Sequence, residues 1–231
     1  MVEDIPYYLA TKDNLLRDLR NAQQAQSLLA EIGPLRIERV LDVGCGIGQA
    51  LSSLAVDQNA VGVGIDISLA GLNIGREVFA AHLSNSRVAF AQARGESIPF
   101  TSESFDVVNC GLAIPYMRNA TVLAEVARVL RPGGIFLLKI HHARYYLSQV
   151  LKGLAAGDLL SVVHGWRVLI AGAIYHLVGR QPQTRFLNES FQTRWLLRRE
   201  LARHGLVLER ERVKTNPLAP AFVIRKKAAV S

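Results

Sequence analysis

The stretch VLDVGCGIGQA, residues 40–50, decides how this chain folds. Val40, Leu41 and Val43 form an apolar run with one acid, Asp42, inside it, and Gly44, Gly46 and Gly48 follow at every second position. The run reads as the end of a strand, and IGQALSSLAV after it as a helix. Glycine tolerates positive φ and lets a ligand approach the main chain without meeting a Cβ. The first turn of the following helix adds N–H groups without partners. Residues 44–48 therefore predict a ligand loop beyond the carboxyl end of a strand, where open α/β sheets bind their ligands.

Outward from that loop, strands and helices alternate. AVGVGIDI (60–67) reads as a second strand, and SLAGLNIGREVFAAHL (68–83) as a helix with Ser68 as its N-cap. RVAFAQA and FDVVNCG are strands three and four, NATVLAEVARVLR (119–131) is a helix, RPGG (131–134) a turn, and IFLLKI (135–140) strand five. Strands separated by helices in this rhythm mean βαβ units and a parallel sheet. Their apolar composition fits strands covered on both faces. Upstream, Leu15, Leu16, Leu19, Ala22, Ala25, Leu28 and Leu29 give residues 8–32 helical spacing, ended by Gly33-Pro34.

After Ile140 the rhythm changes. LSQVLKGLAAGDLLSVV and WRVLIAGAIYHLV read as apolar helices, QTRWLLRRELARHG as a basic helix, and GLVLERERVK and PAFVIRKK as an antiparallel pair of strands. WRVLIAGAIYHLV falls short of the roughly 20 residues that cross a bilayer. It reads as a lid or core helix. A helix lying in a membrane interface, flanked by Arg180 and Arg185, is the alternative.

The chain has 231 residues, half of them hydrophobic and 20% charged, which suits one folded domain with one core. The net charge of +8 is uneven: residues 1–179 carry 15 Lys/Arg against 15 Asp/Glu, and residues 180–231 carry 12 against 4. The basic excess sits among apolar residues at helix and strand spacing and reads as solvated surface. Cys45 and Cys110 are too few for a disulfide framework and lack metal-ligand spacing. The opening MVEDIPYY is unlike a secretion leader, so the expectation is a reducing cytoplasm.

The spacing GxGxG differs from the GxGxxG of a dinucleotide loop, and no Lys-Ser/Thr pair follows as in a P-loop. A carboxylate such as Asp42 is a poor neighbour for phosphate and suits a cationic amino group. Asp66, ending the second strand, can accept hydrogen bonds from both hydroxyls of a ribose. With VLDVGCGIG, VGVGIDIS, ARGESIPFTSESFDVV and EVARVLRPGG in order across residues 38–140, the sequence resembles class I S-adenosylmethionine-dependent methyltransferases of the small soluble, seven-stranded type.

The resemblance implies a Rossmann-like doubly wound α/β sheet of order 3-2-1-4-5-7-6, with strand seven antiparallel and a helical insertion after strand five. It implies one domain: an N-terminal helix or lid (1–34), a cofactor-binding half (35–140), a helical acceptor cap (141–190) and a C-terminal helix and hairpin (191–231). Asp42, Gly44, Cys45, Gly46 and Gly48 would hold the methionine part of S-adenosylmethionine. Asp66 would hold the ribose and Ile67 the adenine face. Gly95 and Glu96 would lie at the adenine edge, and Cys110 and Gly111 beside the sulfonium. Arg94 stands where the family often has an acid for the adenine amino group.

Methyl transfer is an in-line displacement that needs alignment more than a catalytic triad. If the acceptor must lose a proton, His141 and His142, just past strand five, are the candidate bases, followed by Tyr116 and Tyr145. Tyr7 and Tyr8 are candidates for a lid. Leu151, Leu154, Leu160, Trp166, Leu169, Ile170 and Tyr175 read as walls of an acceptor pocket, which suits an apolar small molecule methylated on oxygen or carbon. An RNA methyltransferase using the basic C-terminal region and a non-catalytic S-adenosylmethionine-binding module are the alternatives. Peripheral membrane contact is a further expectation.

Overall fold

The computed structural model of the protein describes residues 5–18, 36–56, 59–84, 87–212 and 216–228. Helix α1 (Ile5–Asp18) precedes strand β1 (Arg39–Val43). A short α2 (Gln49–Leu51) runs into a π-helical turn, Ser52–Val56. Then come β2 (Val61–Asp66), α3 (Leu69–His82), β3 (Val88–Gln92) and β4 (Phe105–Gly111). A 3-10 turn, Ile114–Tyr116, leads to α4 (Asn119–Val129) and β5 (Leu130–Lys139). An insertion follows, α5 (Ala143–Ala156) and α6 (Leu159–Val178). The described chain closes with α7 (Arg194–Ala202), β6 (Leu206–Glu211) and β7 (Ala221–Lys226).

The seven strands stand in the order β3-β2-β1-β4-β5-β7-β6. Strands β1 to β5 run parallel, and β7 runs antiparallel to both β5 and β6. Both the order and the reversed strand match the expectation from the sequence. Side-chain alternation splits the core into two layers. Leu41, Val108, Phe136 and Leu138 face one side, where Val122 and Val126 of α4 and Leu197 and Leu201 of α7 cover them. Val40, Val107, Ile135 and Leu137 face the other, with Leu15 of α1, Leu51 and Phe79. Each such buried side chain contributes about 1.5–3 kcal/mol.

The register places the site. Asp42 pairs with Gly64 on one side and Asn109 on the other, and Val43 pairs with Ile65. The carboxyl ends of β1, β2 and β4 therefore finish together. Strand order reverses between β1 and β4, which opens a crevice above those ends.

Two sequence expectations need correction. The helix before β5 ends at Val129, and Arg131-Pro132-Gly133-Gly134 belongs to β5. The pairing with β4 slips between Phe105 and Val107, so the strand absorbs the extra residues as a bulge, with Gly133 at φ 77°. The last apolar helix of the insertion has 20 residues, Leu159–Val178, because Asp158 caps it by accepting from Leu160 N and Ser161 N. That helix is long and apolar enough to cross a membrane by length and composition. The expected helix over residues 8–32 is seen as Ile5–Asp18, and its remainder lies outside the described residues.

Candidate methyl-donor site

The glycine loop is built for positive φ: Gly44 stands at 70°, Gly46 at 54° and Gly48 at 84°. Two of its amides are tied to β2, Gly44 N and Cys45 N both donating to Ile65 O at 2.8 and 3.1 Å. A Cβ on Gly44 would collide with the Ala113 side chain, and one on Gly48 would come within 2.7 Å of Phe90. At Gly44 and Gly48 both the dihedrals and the neighbours exclude a side chain, and at Gly46 the dihedral disfavours one.

Asp42 is buried, 3% exposed, and accepts from Asn109 Nδ2 at 2.7 Å. Burial pushes its pKa up to about 7; Asn109 opposes the shift, and the Asp66 carboxylate adds to it. A carboxylate buried beside a second acid is costly unless a cation joins it. A ligand ammonium group would supply that cation. Asp66 is half-buried and works as a clasp, Oδ2 accepting from Gly46 N at 2.8 Å and Oδ1 from Ser68 N at 2.9 Å. Each oxygen keeps another acceptor position for a ribose hydroxyl. These features fit a nucleoside carrying a positively charged amino-acid arm.

On the adenine side, Ile67 is 43% exposed, and Gln92 Nε2 fixes its carbonyl at 2.9 Å. Gly95 is packed under Met117 and Val43. Glu96 accepts from Arg118 N at 3.0 Å, so one of its oxygens serves the start of α4. Arg94 is exposed and bridges to Ser97 in the turn. Cys45 is buried, its thiol held well above the usual range by burial, with Asp42 and Asp66 adding. The Cys110 side chain lies within the core, its pKa pushed up to about 12 mainly by burial, and Gly111 is exposed at the strand end. Leu112 follows at φ 67°, a left-handed position held by the hydrogen bond its N–H donates to Lys139 O.

Helix α1 lies across this loop. The Tyr8 ring would lie 3.6 Å from a Cβ on Gly46 and 2.8 Å from one on Gly71, and its hydroxyl bonds Ser68. Tyr7 packs edge-on to Tyr8 at 5.4 Å. Both residues expected as a lid are thus beside the crevice.

The two candidate histidines part company. His142 Nδ1 accepts from Arg144 N and caps α5, and His142 lines a separate recess with Ile140, Gln192 and Phe222. His141 stacks on Tyr145 at 4.0 Å and meets Tyr146 OH through Nδ1 at 3.4 Å. Tyr146 OH donates to Glu189 Oε1 at 2.7 Å, and Glu189 Oε2 stands 3.5 Å from His164 Nε2. Since the Tyr146 proton goes to Glu189, the His141 contact requires the proton on Nδ1, leaving the Nε2 lone pair free. Desolvation, then Lys139, holds the His141 pKa below 6.5. Burial raises Glu189, with Tyr146 and His164 opposing. Tyr116 joins this group, its pKa pushed up to about 12 by desolvation first and the Glu189 charge second.

Sequence reasoning missed Glu189. The signal was there: it is the single acid between Asp158 and Glu200. The residues expected to wall an acceptor pocket are not brought together. Leu151, Leu154, Leu160, Trp166 and Ile170 are 50–84% exposed, while Tyr175 is 1% exposed in the core. In a two-helix hairpin only one stripe of each helix can face the domain, and these residues lie on the other. Part of the basic C-terminal charge is in ion pairs, Arg203 with Glu200 and Arg225 with Glu209.

A family described as "Methyltransferase domain" matches residues 41–138. The fatty-acid O-methyltransferase of Mycolicibacterium smegmatis is 36% identical over 124 residues, 53% of this chain and 44% of that protein. The chain therefore matches less than half the length of this curated relative. A solved protein of Pyrococcus horikoshii OT3, PH0226, superposes with a TM-score of 0.63 at 21% identity over 90% of both chains. A geranyl diphosphate methyltransferase solved with S-adenosylmethionine superposes with a TM-score of 0.61 at 16% identity, covering 94% of this chain and 90% of that one.

Proposed function

We propose that this chain is a class I S-adenosylmethionine-dependent methyltransferase and transfers a methyl group to an apolar small-molecule acceptor, on oxygen or carbon. S-Adenosylmethionine, the methyl donor, supplies an activated carbon and a neutral thioether leaving group. The observation that carries the reading is Asp42: a buried carboxylate with its pKa pushed up to about 7, beside Asp66 and a loop of positive-φ glycines. Asp42 would take the ammonium group, Asp66 the ribose hydroxyls, and the 44–48 loop the carboxylate end of the donor.

The chain's own contribution to the chemistry is alignment and one proton acceptor. Holding two reactants in line is worth about 7–11 kcal/mol of barrier. His141 Nε2 would receive the proton of the acceptor's hydroxyl or enol, and the imidazolium so formed would be stabilised through Tyr146 by Glu189. Tyr116 and Tyr145 would give the acceptor aromatic walls, with Tyr146 buried behind His141. Two compared proteins, named for fatty acids and geranyl diphosphate, act on molecules with long apolar parts, which supports the acceptor class. The proposed setting is the cytoplasm. The test is mass spectrometry of metabolite extracts incubated with purified protein and donor. A lipid-soluble compound gaining one methyl mass supports the reading; methylation found in RNA alone refutes it.

A further inference from the structure

Helix α6 is apolar on nearly every side, yet only part of it is covered. Gly165, Val168, Ala171, Gly172 and Tyr175 are buried on one side. Leu159, Val163, Trp166, Ile170 and Leu177 are 50–87% exposed on the other, spaced by three, four or seven residues along one stripe. Helix α5 repeats the pattern: Tyr146, Val150 and Gly153 are buried, while Leu147, Leu151 and Leu154 are 47–60% exposed. The helices touch through the buried stripes, since a Cβ on Gly165 would meet Val150 at 2.6 Å and one on Gly153 would meet Val162 at 2.9 Å. The exposed stripes thus share the outer face of the hairpin. Phe186, 69% exposed, stands next to it, its carbonyl bound by Arg167 Nε at 2.7 Å. Monomeric proteins rarely leave so continuous an apolar face in water.

The net charge of the segment that builds this face names its occupant. From residue 141 to 188 the chain carries Arg144, Lys152, Arg167, Arg180 and Arg185 against one acid, Asp158. Asp158 is engaged in capping α6 through Leu160 N, Ser161 N and Ser161 Oγ. A leucine-rich face with one tryptophan, carried on a segment of net positive charge, has the composition that settles into the headgroup layer of a negatively charged bilayer. Helix α6 is also fastened to the domain, His176 Nε2 meeting Thr193 Oγ1 at 2.8 Å, so it lies along a surface and does not cross one.

We infer that the outer face of the α5–α6 hairpin docks on an anionic membrane surface. Since the same hairpin carries Tyr145, Tyr146 and His164 toward His141 and Glu189, docking sets the acceptor crevice against the lipid phase, where an apolar acceptor is concentrated. This second clause rests on the methyltransferase reading; the docking itself does not.

The test is co-sedimentation of the purified chain with vesicles of phosphatidylcholine alone or mixed with phosphatidylglycerol. The chain is expected to pellet with the mixed vesicles, to stay in solution with the neutral ones, and to be released by salt. In a Trp195→Phe variant, Trp166 emission is expected to shift to the blue on vesicle addition. The double variant Leu151→Gln/Leu159→Gln, on exposed positions of the two stripes, is expected to fold and to partition at least roughly tenfold more weakly. Its affinity for S-adenosylmethionine by calorimetry should stay at the wild-type value, so a failure of docking is distinguishable from a failure of the enzymatic reading. Absence of binding to mixed vesicles overturns the inference, as does equal partitioning of the double variant. So does a stable dimer that the same double substitution dissociates, because a second copy would then be what covers the face.

Discussion

The Gly46 amide donates to the Asp66 carboxylate at 2.8 Å across 20 residues of sequence. The acid proposed to receive ribose hydroxyls therefore also sets the glycine loop proposed to receive the other end of the donor. With Ser68 N on its second oxygen, Asp66 ties together the ends of β1 and β2 and the start of α3. The crevice is shaped before a ligand enters, which lowers the ordering cost of binding.

Gly44→Ala should be among the most damaging single-atom-group additions in the chain. Its φ of 70° is strained for any Cβ, and that Cβ would run into Ala113. A loss of about 1–3 kcal/mol in folding stability is expected from the backbone alone. Chemical denaturation measures it, and the control Gly133→Ala, which has positive φ but open space around it, should cost less.

Asp42→Asn separates binding from stability by pH. The folded-state pKa of Asp42 is raised from 3.8 to about 7, so between those values the folded chain holds a proton that the unfolded chain has released. Stability from this group is full below pH about 4, falls as pH rises to about 7, and stays reduced above it. The uncharged variant escapes that loss, so its melting temperature without ligand should exceed the wild type's at pH 8 and approach it near pH 4. Donor affinity should move the opposite way. The wild type should bind more tightly at pH 7.5 than at pH 6, and the variant about tenfold or more weakly, with little pH dependence.

His141 and Glu189 should act as a unit in the pH profile. With His141 held below 6.5, the rising limb of kcat/KM should lie under that pH and be flat by pH 7.5. His141→Asn should remove the limb along with most of the rate, about 100-fold or more. Glu189→Gln removes the negative charge behind Tyr146, so the limb should move to lower pH and kcat should fall with KM little changed. Glu189→Asp should restore part of kcat. A Glu189→Gln variant with an unaltered profile would mean that the carboxylate serves packing only.

The individual strands, the antiparallel closing pair, the glycine loop and Asp66 were legible because each is written locally, as apolar runs, spaced glycines and an acid at a strand end; the strand order was implied by the family resemblance. The start of β5 was not, because Arg131 reads as helix end and turn until its ion pair with Asp106 at 2.6 Å is seen to hold it along the strand. The cap was misread for a different reason. Helical spacing reports which residues are apolar, and it cannot say which of two apolar stripes meets the domain. Glu189 joins His141 and Tyr146 across 43 residues of chain or more, and no spacing rule reaches that far.

Calorimetric titration of the purified chain with S-adenosylmethionine, run beside the Asp66→Ala variant, tests the donor crevice most directly. One site per chain is expected, with affinity about 100-fold weaker in the variant, from the loss of charge-assisted ribose bonds worth about 1.5–3 kcal/mol each, while circular dichroism shows it folded. No heat with the wild type, or the same affinity in a folded variant, would contradict the account.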